Sequence, residues 1–249
     1  MVSRGKLVDW LDDLLEPERF MEAGDNLNGV LVEGADDVSR VALCVNTTFE
    51  TIDAAVNQDA EFVVSHHGGW KDFDQDLLAE KKRRMQEHDL TWYIAHACLD
   101  AADEFGVAAS LARKLGIDVE GAFAEYNDGE AGRYGSLQVP VDEFRERLSR
   151  IDDFEVVGGD LRDVERVGVI GGGGGNYPQF LREAADIGCD AVVVGNASFF
   201  GEIYAHEKGL TLVTLEETSS EKWGVYALGE RLDDRFVDVE TVRLDERNW

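Results

Sequence analysis

Short runs of apolar, β-branched residues alternate along this chain with longer segments whose apolar positions recur every three to four residues. That alternation predicts an α/β architecture with substantial parallel pairing. A first helix is expected over residues 6–15, where Leu7, Trp10, Leu11, Leu14 and Leu15 share one face and Pro17 lies just beyond. Strands are expected at 29–32, 41–45, 62–64 and 91–95, and a second set at 134–139, 155–157, 167–170, 191–194 and 211–215. The polar, glycine-containing stretch AEYNDGEAGRYG is the expected seam, giving one lobe over 1–127 and another over 128–249.

The two sets of strands repeat one another. RVALCVN opens one block and RVGVIGG the other, and AAVNQDAEFVVSHH aligns without a gap on AADIGCDAVVVGNA. LTWYIAHACLDAADEFGVAASLARKL resembles LTLVTLEETSSEKWGVYALGERL when short gaps are allowed. Strand, helix and strand recur in the same order, so two similar α/β lobes from an internal duplication are expected. The alignment sets His66 opposite Asn196, each at the carboxyl end of an apolar strand, where open parallel sheets bind ligands.

Charge changes the picture most. The 249 residues carry 52 Asp and Glu against 24 Lys and Arg, a formal net charge of -28. Such self-repulsion weakens a compact fold at low ionic strength but keeps it hydrated in concentrated salt. The acids are spread through folded-looking segments, so the expectation is a halophile's cytoplasmic protein rather than a disordered acidic tail. No basic face can be assembled, and nucleic-acid binding is not expected. No apolar run reaches membrane-spanning length, and the first residues lack the apolar core of a secretion signal. The three cysteines, Cys44, Cys98 and Cys189, form no C-x-x-C pair and read as buried apolar residues.

Four polar clusters carry candidate chemistry. In EFVVSHHGGW, two of the five histidines, His66 and His67, stand side by side where a strand meets glycines. At such a junction both imidazoles can reach one small volume and serve different ions of a two-metal site; the alternative is a pair of polar loop residues. In HACLDAAD, His96 ends an apolar run, and Asp100 reads first as the N-cap of a helix running on through ASLARKLG, with a carboxylate ligand as the other reading. In EETSSEKWG, Thr218 and Glu221 fit a capping box. Glu217 and Glu221, four apart, either face solvent separately or share a cation. The run VIGGGGGNYP is either a cradle for an anionic ligand or a tight structural turn. His88 and His206 lie on polar helical segments and read as surface residues.

In chain order, GDNLNGVLVEG, VVSHHG, AHACLDAA, GRYG, VGVIGGGGGN, DAVVVGN and SSEKWGVYALGERL resemble the NIF-three-like family over about residues 6–232. These are dinuclear metal-centre proteins often described as type 2 GTP cyclohydrolase I homologues. The resemblance implies two divalent metal ions, Fe, Mn or Zn, held by His66, His67, Asp100, Glu217 and Glu221. Glu217 stands where the family usually has histidine, which makes the site harder and favours Mn or Fe. Gly68 replaces a usual proline, and Gly195-Asn196 and Phe199-Phe200 replace the family's Gly-Asp and Tyr-His. The resemblance further implies a toroidal homohexamer and a metal-dependent hydrolase, with His96 moving a proton or orienting a ligand. Apart from the resemblance, a nucleotide or other phosphorylated small molecule is the expected ligand, with the glycine run holding its anionic end. A non-catalytic carrier of iron, another metal or a cofactor precursor is the alternative.

Overall fold

Residues 1–23, 28–69 and 75–246 are described by the structure, a computed structural model. Residues 24–27, within the GDNLNGVLVEG motif, and Trp70, after the paired histidines, lie outside the described residues.

The first part of the chain forms β1 (Val2–Ser3), α1 (Arg4–Leu15), α2 (Pro17–Glu22), β2 (Gly29–Val32), β3 (Asp37–Val38), β4 (Arg40–Asn46), α3 (Phe49–Asn57), β5 (Phe62–His67), α4 (Gln75–Glu87), β6 (Thr91–Ile94) and α5 (Ala97–Asp100). In α1, Leu7, Leu11 and Leu15 form the buried stripe, and Glu16, in the left-handed region, ends the helix before Pro17 opens α2. β4, β5 and β6 pair in parallel, with β2 antiparallel to β6. β4 and β5 are buried along nearly their whole length, which is why they are continuous apolar runs without alternation. Ala42, Val63, Trp92, Ile52, Met85 and Leu90 form the core on one side.

The chain continues through α6 (Val107–Leu115), β7 (Ile117–Tyr126), β8 (Gly129–Leu137), α7 (Val141–Ile151), β9 (Glu155–Val157), β10 (Arg166–Ile170), α8 (Pro178–Ile187), β11 (Ala191–Val194), α9 (Phe199–Lys208), β12 (Thr211–Thr214), α10 (Glu217–Arg235) and β13 (Glu240–Arg243). The order in this second sheet is β7-β8-β10-β11-β12-β9, with β10, β11 and β12 parallel and β8 and β9 antiparallel to their neighbours. Its alternating residues serve two cores. Val167, Val169, Val193 and Val213 pack with Leu111, Leu115, Phe144 and Leu148, while Val192, Val194 and Leu212 pack with Phe180, Leu181 and Ala184. β13 returns to pair in parallel with β4.

Two compact units result, Met1–Leu99 with the stretch from Val225 onward, and Asp100–Gly224. Residues Asn127 and Asp128, within the expected seam, form the turn of the β7–β8 hairpin, both with positive φ. The fold is thus mixed α/β with two principal sheets. The strands expected at 29–32, 155–157 and 191–194 have those bounds. The histidine pair belongs to β5 rather than following it, because the ladder to β4 continues to Asn46 opposite His67. All three cysteines are buried. Among the described residues, no helix is long and apolar enough to cross a membrane.

Candidate metal centre

His66 and His67 are the last two residues of β5, and each ring is held by an oxygen that can only accept. His66 Nδ1 lies 2.7 Å from the Ala95 carbonyl oxygen, just after β6, and His67 Nδ1 lies 2.9 Å from Asn46 Oδ1, at the end of β4. Both Nδ1 atoms therefore carry the proton, which leaves the lone pair on Nε2 available to a metal. The two rings lie 4.7 Å apart between centroids, although neighbours along a strand ordinarily diverge. His96 joins them, with centroids 5.1 Å from His66 and 5.4 Å from His67. Each of the three offers one ligand nitrogen within 4.8 Å of the others.

Burial, followed by the neighbouring His66 and His96, holds the His67 imidazole well below its ordinary range. The neutral ring is the metal-binding form. Half-buried His67 with buried His66 and His96 is therefore a nitrogen donor set suited to Zn or Fe. His96 is positioned through its backbone: its N–H donates to buried Asn28 Oδ1 at 2.9 Å, and the Cys98 N–H donates to the same oxygen at 3.4 Å. Asn28 thereby caps α5. A Cβ at Gly68, which follows the pair, would lie 2.3 Å from Ile94 Cδ1, the far end of a flexible side chain.

Asp100 is the last residue of α5, not the N-cap of a long helix. The chain breaks after it, and α6 begins only at Val107, with extended Gly106 at its cap position. Arg133 on β8 accounts for the break. Arg133 is only 2% exposed, and its guanidinium donates from one nitrogen to Ala101 O at 2.9 Å and Asp103 Oδ1 at 3.1 Å. Its other terminal nitrogen donates to the carbonyls of Glu130 at 2.7 Å and Gly132 at 2.9 Å. Burial lowers the affinity of this guanidinium for its proton, and Asp103, Glu130 and half-buried Asp100 oppose that effect.

Glu217 and Glu221 lie one turn apart at the start of α10, so their carboxylates share a helix face. Thr218 is inside the helix rather than at its cap. Glu216 takes that position, its Oε2 accepting from the Ser219 N–H at 3.0 Å and its carbonyl from the Ser220 N–H at 2.9 Å. Glu221 is 4% exposed, and Glu217 is half-buried, with Asn196 donating its side-chain N–H to the Glu217 carboxylate.

The glycine run packs directly against these acids. Gly172 has a φ of 53°, and a Cβ there would lie 2.1 Å from Glu221 Oε1. Its N–H donates to Ser220 Oγ at 2.9 Å, while the N–H groups of Gly174, Gly175 and Asn176 donate to backbone carbonyls. The run is thus a structural turn shaped around Glu221, with these donors already engaged. His88 and His206 are exposed, as their polar surroundings predict.

The supporting groups Asn28, Asn46, Arg133 and Asn196 escape sequence reasoning by periodicity. Asn28, Arg133 and Asn196 do fall within the GDNLNGVLVEG, GRYG and DAVVVGN motifs, the signal that could single them out.

Comparison with known proteins places this architecture. A Pseudomonas aeruginosa protein named GTP cyclohydrolase 1 type 2 homolog is 30% identical over 254 residues, covering 98% of this chain and 97% of its own length. The protein of the same name from Archaeoglobus fulgidus is 30% identical over 249 residues, with 98% of each chain covered. Among solved structures, protein ybgI, described as of unknown function, superposes with a TM-score of 0.86 at 27% identity over 99% of both chains. TTHA1606 from Thermus thermophilus superposes with a TM-score of 0.81 at 25% identity, again over 99% of both. The sequence profile described as Duf34/NIF3 (NGG1p interacting factor 3) matches residues 2–248, and the chain belongs to that family.

Proposed function

We propose that this protein holds two divalent cations through His66, His67 and Asp100 together with Glu217 and Glu221, and that it is a metal-dependent hydrolase. The observation that carries the reading is the cluster of His66, His67 and His96, with the first two rings fixed by Ala95 O and Asn46 Oδ1 in the metal-binding tautomer. Glu217 and Glu221, one turn apart on α10, supply two negative charges on one face, which a cation would relieve. Two divalent cations bound there would supply Lewis acidity and activate water for attack near neutral pH.

This chain's own groups do the rest. His66, His67, Asp100, Glu217 and Glu221 would hold the ions, and His96 would take or return a proton at its ring nitrogen. A nucleotide or another phosphorylated small molecule is the substrate class we favour, in keeping with the relatives named GTP cyclohydrolase 1 type 2 homolog. In a chain of net charge -28, bound cations are the natural anchor for an anionic group. Two lobes from a duplication complete the reading. β10-β11-β12-β9 repeats the arrangement of β4-β5-β6-β2, three parallel strands with an antiparallel edge. We also assign it a cytoplasmic place and a homohexameric assembly.

Elemental analysis of the purified protein tests the metal assignment: about two ions per chain are expected, and fewer in Asp100→Ala and Glu221→Ala. Metal content unchanged in both variants would overturn it. Incubating the metal-loaded protein with nucleotides, phosphoesters and cyclic amides tests catalysis. Turnover supports the hydrolase; retained metal without turnover on any of them points to the carrier.

A further inference from the structure

Two amide side chains stand behind Glu217. Asn196, two residues past the end of β11, donates from Nδ2 to Glu217 Oε2 and accepts at Oδ1 from Asn176 Nδ2 at 2.7 Å. The direction of this relay is forced. An ionised carboxylate has no proton to give, so Asn196 must turn its NH2 toward Glu217, and its carbonyl oxygen then faces Asn176. Asn196 is itself fixed by its backbone, whose N–H donates to Gly172 O at 3.0 Å and whose carbonyl accepts from the Gly175 N–H at 3.2 Å. The bond from Asn196 thereby fixes the orientation of the Glu217 carboxylate.

We infer that Asn196 is a positioning residue for Glu217 as a metal ligand, and that the pair biases this end of the centre toward oxygen-preferring cations such as Mn²⁺ over Zn²⁺. The inference rests on the assignment of Glu217 as a ligand made above. Its chemistry is one of proton polarity. A carboxylate ligand is oriented by a donor behind it, whereas an imidazole ligand needs an acceptor behind it to receive its second N–H. The amide N–H of Asn196 serves the first and opposes the second. An Asn–Glu pair and an Asp–His pair carry the same total charge, with the donor on opposite sides of the hydrogen bond. Positions 196 and 217, where the resemblance implies Asp and His in the family, are partners in that one bond.

Binding of Mn²⁺ and Zn²⁺ to the metal-stripped full-length protein, followed by calorimetry, tests this with Asn196→Ala, Glu217→His and the Asn196→Asp/Glu217→His double variant. Asn196→Ala is expected to weaken Mn²⁺ binding by about 10- to 100-fold, the usual effect of removing a group that orients a ligand. The melting temperature of its metal-free form should stay near that of the parent. Glu217→His alone should bind either metal poorly. The double variant should recover binding with its preference moved toward Zn²⁺, a coupling that two independent substitutions would not show. Parent-like Mn²⁺ binding by Asn196→Ala, or a double variant no better than Glu217→His, overturns the role of Asn196 while leaving the metal centre standing. Parent-like binding by both Glu217→Ala and Glu221→Ala overturns the ligand assignment beneath it.

Discussion

Two oxygen atoms, the Ala95 carbonyl and Asn46 Oδ1, decide what His66 and His67 can do, because each takes the Nδ1 proton and leaves Nε2 basic. The same enclosure that keeps His67 neutral makes the metal-free protein sensitive to acid. Its imidazole is held below the ordinary value of about 6.5. Below that pH the unfolded chain takes up a proton that the folded chain refuses, so stability falls with pH by up to about 1.4 kcal/mol per unit until the folded ring also protonates. Above about pH 7 both states are neutral at this position and the effect vanishes. Urea midpoints of metal-free protein should therefore drop on acidification from about pH 7 toward pH 5. The drop should be shallower in His67→Gln; equal slopes in the two proteins would refute this account of His67. At this scale the sequence is half legible. Adjacent histidines are conspicuous in a chain with five. Asn46 is not, because it acquires a role only when β4 meets β5, and the bond from Asn196 to Glu217 forms only when the end of β11 meets α10.

At the scale of elements, α5 shows how a four-residue helix is held in place. Asn28 accepts from the His96 and Cys98 backbone N–H groups with one buried oxygen. Asn28→Ala should leave both donors without it and cost about 1–3 kcal/mol, read as a lower urea midpoint. A loss below about 0.5 kcal/mol would mean that the cap contributes nothing beyond an ordinary surface position. The central strands are readable in advance because both faces are buried and the code is an uninterrupted apolar run. β7 is not, since IDVEGAFAEY carries acids and a glycine along a partly exposed edge, and its partner β8 supplies the pairing. β1 and β3 are two residues each, and only their mutual pairing defines them. The apolar pattern after Asp100 runs on as though one helix continued. The break appears only with Arg133, which binds Ala101 and Asp103 from a strand some thirty residues downstream.

At the scale of the whole molecule, the charge excess is the dominant physical fact. Its 52 acids cannot all find partners among 24 bases. Exposed pairs such as Arg150 with Glu146 contribute about 0–1 kcal/mol each. Repulsion among the remaining acids outweighs them, and salt shortens its range from about 10 Å at 0.1 M to about 3 Å at 1 M. Thermal melts should accordingly rise in temperature between about 0.1 M and 2 M KCl; a flat or falling trend would show that the ion pairs matter more. The same acidity would favour cations at the proposed centre. The central claim is that His66, His67, Asp100, Glu217 and Glu221 hold two ions. Anomalous diffraction from crystals of the manganese-loaded protein tests it most directly. Two peaks about 3.5–4 Å apart, within coordination distance of the two histidines and the three carboxylates, are predicted. Peaks lying elsewhere, or no peak beside His66 and His67 in metal-loaded crystals, would contradict the account.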